Sequence, residues 1–382
     1  MNILAAAVFI VFLILPGCSG GEPPPPPPLD APPGVFTSAE RCGECHTDIY
    51  RVWTSSLHAA SFTNETFQAS LRELTNGKEA LSSVCMGCHA PVTATDVARE
   101  GVTCDYCHSI QNVDVKTRPI QAVLSVGKTK FGPVSNAHST GHEVAVSPLH
   151  AESAICSGCH EYQNPAGLQV LGTFSEWQAS DMGAAGMTCQ RCHMPLTGMK
   201  VVDPRVKREP ASFVNLHKMP GAHSKDQLSK ALEFQIVEVR REGVDLHIRV
   251  MVRNHGAGHN VPTGMPTRAI VLTAETTGNR SGVQRQMRTY GTSVVDAAGR
   301  RLEHDSQIMI SGAKLATDTR LRPSEQRRED FTFRIAADEN VDINITLTYR
   351  YSPFGDAQPS VDFEFAGRRQ QSIMRFVGKE KS

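Results

Sequence analysis

The sequence predicts an α+β, multidomain chain: a loop- and helix-containing region followed by an antiparallel β-sandwich. Three observations predict it. A five-letter motif, Cys-x-x-Cys-His, occurs five times between residues 42 and 193 and nowhere beyond. From residue 231 short segments alternate apolar and polar residues: Leu232–Val239, Val244–Val252, Ala269–Ala274, Phe331–Ile335 and Ile343–Tyr349. Gly, Asn and Asp separate them, and such evenly spaced short strands with turn signals indicate a sandwich. The length, 382 residues, suits two or three domains. The divisions expected are 1–17, 18–36, 37–225, 226–370 and a tail, 371–382.

The first segment is a leader. Ile3–Leu15 is a run of thirteen apolar residues, too short for a spanning helix, which needs about 20. It matches the core of an export signal. Leu15-Pro16-Gly17-Cys18 follows and resembles a bacterial lipobox, in which the Cys is lipidated and becomes the new N-terminus. Cys18 is the only cysteine outside the repeated motifs. The expectation is an exported protein, in the periplasm or at the outer membrane, held there by a lipid on Cys18. The tract Pro23–Pro28 with Pro32-Pro33 would then be a stiff polyproline II spacer of roughly 35 Å at about 3.1 Å per residue.

Charge narrows the partners. Lys+Arg and Asp+Glu are both 39, a formal net charge of +0. A nucleic-acid binder would show a basic excess, so none is expected. The Arg320, Arg322, Arg327 and Arg328 cluster is expected to be a solvated loop.

The motifs carry the chemistry. They are Cys42–His46, Cys85–His89, Cys104–His108, Cys156–His160 and Cys189–His193. Cys-x-x-Cys-His is the attachment pattern of c-type haem. The thiols, one helical turn apart, bond the porphyrin vinyl groups: Cys42 and Cys45, Cys85 and Cys88, Cys104 and Cys107, Cys156 and Cys159, Cys189 and Cys192. The adjacent His46, His89, His108, His160 and His193 then become the proximal iron ligands. A lone pair of cysteines could be a zinc half-site or a redox pair. Five copies, each with its His, predict five covalent haems.

Ten of the 15 histidines remain, and five irons need at most five distal ligands. Every iron could therefore be closed by two imidazoles, fit to exchange electrons and not to bind substrate. His58 follows Ile49, Val52, Trp53 and Leu57 at helical spacing within Ser38–Phe62. On a continuous helix it stands roughly 18 Å from His46, so it would ligate a different haem. His138, His142 and His150 lie on a long loop, Phe131–Ala154, of the kind that is usually functional or disordered. His142 and His150 are preferred, with His138 in reserve. His217 is preferred to His223, the two flanking Met219-Pro220-Gly221. His259 sits in the glycine-rich run Gly256–Gly264, whose bare backbone could approach a flat porphyrin. His247 and His304 are expected at the surface.

At these residues the chain resembles the cytochrome c-554 family of multihaem cytochromes. Cys42–His46 followed by Trp53-Thr54-Ser55-Ser56-Leu57-His58-Ala59 is similar to the family's opening, and Gly101-Val102-Thr103-Cys104 through His108 to its third site. The likeness covers roughly residues 37–195. The segments around His217 and His259 resemble larger exported multihaem cytochromes with a β-rich C-terminal region. The resemblance implies electron transfer through stacked haem pairs, and carries over His58, His142, His217 and His259 as distal ligands. The function expected is an exported electron carrier between redox partner proteins. The alternatives are a haem oxidoreductase with one open iron, of nitrogen-oxide or hydroxylamine type, and a subunit of an extracellular conduit.

Overall fold

A computed structural model describes residues 24–76, 81–92, 96–116, 120–208, 210–357 and 359–372. The leader 1–17, Cys18 and residues 373–382 lie outside the described residues. No helix among the described residues is long and apolar enough to cross a membrane.

The C-terminal region is an antiparallel two-sheet sandwich. Its strands are β1 (Leu232–Glu242), β2 (Asp245–Asn254), β3 (Arg268–Gly278), β4 (Gly282–Val295), β5 (Arg301–Leu302), β6 (Lys314–Asp318), β7 (Gln326–Arg334), β8 (Val341–Tyr351) and β9 (Val361–Ser372). One sheet has the order β7-β2-β1; the other has β5-β4-β3-β8-β9, with β6 also on β4. Period-two burial builds the core between them. Leu246, Ile248, Val250 and Val252 on β2 face Ile270, Leu272 and Ala274 on β3, and Ile343, Ile345, Leu347 and Tyr349 on β8. In register, Ile270 pairs with Tyr349 and Leu272 with Leu347.

Each alternating segment read from the sequence lies in one of these strands. β4 was not among them because its pattern is inverted. Val283 and Met287 are exposed, while Gln286 and Arg288 reach across to the carbonyls of Thr332 and Asp330 on β7. Polar side chains thus tie the two sheets together at that edge.

The N-terminal region is built of short turns. The segment 38–62 is not one helix: it breaks into Ala39–Gly43 and Thr47–Trp53, followed by turns. Trp53 is buried and donates its indole N–H to the Val102 carbonyl, 3.1 Å, which anchors the break. Each Cys-x-x-Cys-His lies on about one helical turn, as in Ser82–His89, Cys104–Cys107, Ser157–His160 and Cys189–His193. Thr103 caps the third, accepting from the Tyr106 amide. The proline tract is not wholly free. Arg41 donates to the carbonyls of Pro27 and Pro28, and Leu29 N–H to Gly141 O, so the C-terminal half of the expected spacer lies on this region.

The two regions share packing. Val170 of the hairpin Tyr162–Leu171 is buried with Val294 of β4 and Ile308 of the helix Asp305–Ser311. Asn164 donates to the Ile308 and Gly312 carbonyls, 3.2 and 2.8 Å.

Candidate haem-binding centre

The motif cysteines converge from distant parts of the chain. Cys42 of the first motif lies beside Cys104 of the third, close enough for each thiol to shift the other's acidity. Cys88 of the second is so placed to Cys159 of the fourth, and Cys156 of the fourth to Cys189 of the fifth. Among the described residues no disulfide joins any of the ten motif cysteines. Among the described residues no three His, Cys, Asp or Glu side chains converge on a point that could hold a bare metal ion, as a zinc site would require.

The histidines show what the turns are arranged to hold. Two imidazoles on opposite sides of one metal have ring centres about 6 Å apart, from two metal–nitrogen bonds of about 2 Å and roughly 1 Å within each ring. His46 and His142 stand at 6.0 Å, His160 and His58 at 6.2 Å, and His193 and His259 at 6.2 Å. His108 has two neighbours, His150 at 5.6 Å and His217 at 6.3 Å. The spacing fits an iron between the rings in each case.

Second-sphere contacts orient these rings. An Nδ1 hydrogen bond to a carbonyl leaves Nε2 free for metal. His46 bonds Val201 O at 2.7 Å, His89 bonds Ser61 O at 3.0 Å, His108 bonds Phe131 O at 2.7 Å and His193 bonds Pro220 O at 2.7 Å. His142, His217 and His259 do the same with Glu143, Asn215 and Asn260. His58 Nδ1 instead lies 2.9 Å from the Met219 sulfur. His150 is reversed: its Nε2 meets Cys107 O at 3.0 Å, and its Nδ1 is buried with no partner. Two imidazoles therefore stand near His108, His217 with its Nε2 free and His150 with an unpartnered Nδ1. Burial pushes His58 and His108 down to about 4 and His160 to about 3. The neutral imidazole that results is the form that binds metal.

His89 differs from the other four. Among the described residues no imidazole stands across from it. Phe67 stacks on its ring at 4.0 Å and 7°. Burial lowers its basicity, with a smaller contribution from Arg268 at the start of β3, which acts likewise on His160.

Of the reserve candidates, His138 is exposed, while His223 packs on Tyr349 and Tyr351 at 5.8 and 6.2 Å. His304 pairs with Glu73 at 2.5 Å and joins the two regions. The glycines around His259 pack on protein. A Cβ at Gly256 would strike the Lys230 carbonyl at 1.9 Å, and one at Gly258 would meet Trp177 and Met182 at 3.2 and 3.1 Å. Glu176 holds the loop, accepting from Asn260 N, Thr263 Oγ1 and Arg320 Nη1 at 3.2, 2.7 and 2.6 Å. Arg320 is therefore not on a solvated loop: its side chain is 15% exposed and pairs also with Asp318. Met219 and Arg268 had no sequence signal, since neither lies in a motif.

Residues 41–109, which hold the first three motifs, match the family described as cytochrome c554 and c-prime. The match covers that segment alone. The chain is similar in fold to a penta-heme cytochrome c552 from Thermochromatium tepidum, at 20% identity and TM-score 0.69 over 88% of this chain and 99% of that chain. Two other solved structures align only in part. They are a β-glucosidase from Kluyveromyces marxianus in complex with glucose (10% identity, TM-score 0.17, 38% of this chain and 15% of that one) and a putative ApaA protein from Bordetella pertussis (13%, 0.18, 36% and 90%). No curated protein matches the chain.

Proposed function

We propose that this chain is an exported pentahaem c-type cytochrome that carries electrons between redox partner proteins. The proximity of cysteines from different motifs supports the reading. A thioether cysteine sits at the porphyrin edge, so neighbouring cysteines of two motifs would bring two porphyrin edges together. The path is then first haem to third and third to fourth, with the second and fifth both meeting the fourth. Cys107 of the third motif lies near Cys156 and Cys159 of the fourth, which supports the central link. The polypeptide supplies burial, axial imidazoles and their orientation, and so sets each potential. Lipidation of Cys18 would hold this path at a membrane surface.

The reading is tested by haem content and connectivity. A pyridine haemochrome assay should give five haems per chain, and one rapidly mixed reductant should reduce all five without a lagging fraction. Three or fewer haems in matured protein, or one haem left oxidised for seconds, would contradict it.

A second reading, a haem oxidoreductase, has one observation in its favour: no imidazole stands across from His89 among the described residues. An iron held there from one side only has a place for a ligand. Carbon monoxide should bind the reduced protein at one haem per chain; no binding would leave only the carrier.

A further inference from the structure

Resting on the pentahaem reading, we propose that a buried ion pair, Asp105 with Lys130, holds the potential of the third haem. The charged residues between motif cysteines are Glu44, Asp105 and Arg191. Glu44 and Arg191 are exposed, as charged side chains usually are. Asp105, between Cys104 and Cys107, has a side chain 0% exposed, and that of its partner Lys130 is 11% exposed.

The carboxylate is met on both oxygens. Oδ2 accepts from Thr37 N at 2.6 Å, and Oδ1 accepts from Ser109 Oγ at 3.1 Å and from Lys130 Nζ. The ammonium also donates to Gly127 O. Separate segments of the chain are thus drawn onto one side chain of one motif. A buried pair is weak ground for stability, because apolar residues of similar volume often serve as well or better. This pair stands instead where a charge has a redox consequence. Asp105 lies on the turn that carries both thiols of the third motif, three residues before His108. In a buried site a charge so near is screened little.

The strand that carries Lys130, Thr129–Gly132, also carries the partner of the proximal imidazole. Phe131, the next residue, gives its amide to His108 O at 2.8 Å and accepts from His108 Nδ1 at 2.7 Å. The pair therefore bears on the iron in two ways. It cancels the charge of the carboxylate, and it fixes the strand whose carbonyl orients the ring. Nearby charge and second-sphere hydrogen bonds are both levers on a haem potential. Reduction adds an electron. An unpaired carboxylate opposes it and lowers the potential, whereas an unpaired ammonium favours it and raises the potential. The pair keeps the third haem, which stands between the first and the fourth on the proposed path, from either displacement.

A purely structural pair is the alternative. Removing either partner would then loosen the same contacts, and the potential would move the same way in both variants or not at all. Opposite signs separate the two.

The experiment uses the full, haem-loaded protein, with haem counted by pyridine haemochrome and the potentials read by redox titration under optical and electron paramagnetic resonance detection. Lys130→Gln should lower one of the five potentials. Asp105→Asn should raise the same one, and the double variant should return it close to wild type. Lys130→Arg, which keeps the charge, should move it less than Lys130→Gln. Should Lys130→Gln lose haem, the other two single variants carry the test: a raised potential with Asp105→Asn and a nearly unmoved one with Lys130→Arg. Shifts of the same sign on removing either partner, or none with Asp105→Asn, overturn the proposal. So does a double variant displaced further than both single ones. Wild-type protein with three or fewer haems refutes the pentahaem reading itself; five haems with unmoved potentials refute the role of the pair alone.

Discussion

The two halves of this molecule reach order by different physics. The sandwich buries an unbroken apolar core from Leu228 to Tyr349, with Val250, Leu272, Ile345 and Leu347 fully buried. The motif region has small clusters by comparison, such as Ile110, Val113 and Ile120. Its helices are four to eleven residues long, shorter than helices that stand alone in water. Its ring pairs stand at the distance of a shared metal. One half carries its core in its sequence; the other, on the proposed reading, would be completed by haem. A scaffold of the first kind can hold part of the second, and here it does: His259, opposite His193, comes from a loop of the sandwich.

The largest effect expected from this contrast is on the unmatured protein. Made without covalent haem, the chain should keep the sheet signal of the sandwich in circular dichroism. Residues 37–225 should lose protection against proteolysis. A fully protected apo-protein would show that the turns fold on their own.

Within the sandwich the reverse holds. Ile345→Ala removes a fully buried side chain and should cost about 2–5 kcal/mol, read from denaturant unfolding of the sheet. The haem count of the protein that remains folded should stay at the wild-type value.

Where the halves meet, the effect is spectroscopic. His259→Ala should leave the haem content unchanged and convert the fifth iron to high spin, since His193 would then have no opposite ring. Replacing His150 and His217 in turn decides which of them is a ligand. Only the variant that gives a high-spin iron has lost the ligand opposite His108.

The smallest effect is expected one step removed. Glu176→Gln weakens the bonds to Arg320, Thr263 and Asn260 that hold the His259 loop. It should shift the potential of the fifth haem and leave it low-spin. Arg320→Lys, which keeps the charge, should shift it less.

How much could be read from residues alone divides along the same line. Five strands with an apolar face were legible because alternation is local, although β9, which packs Val361, Phe363 and Phe365 on the core, was missed. β4 was not legible, because its inward face carries Gln286 and Arg288, which bond the neighbouring sheet and do not fill the core. The motifs were legible because thiol, thiol and imidazole occupy one helical turn. Which imidazole faces which was not. His58 lies twelve residues from His46 yet stands opposite His160, and only the fold places it there. Arg268 carries no local pattern; its unpaired Nε is visible only in the fold.

The most direct measurement is a spin-quantified, low-temperature electron paramagnetic resonance spectrum of the oxidised full chain. Four low-spin irons and one high-spin iron per chain are predicted, because four proximal histidines face an imidazole and His89 does not. Five low-spin irons, or more than one high-spin iron, would contradict the account.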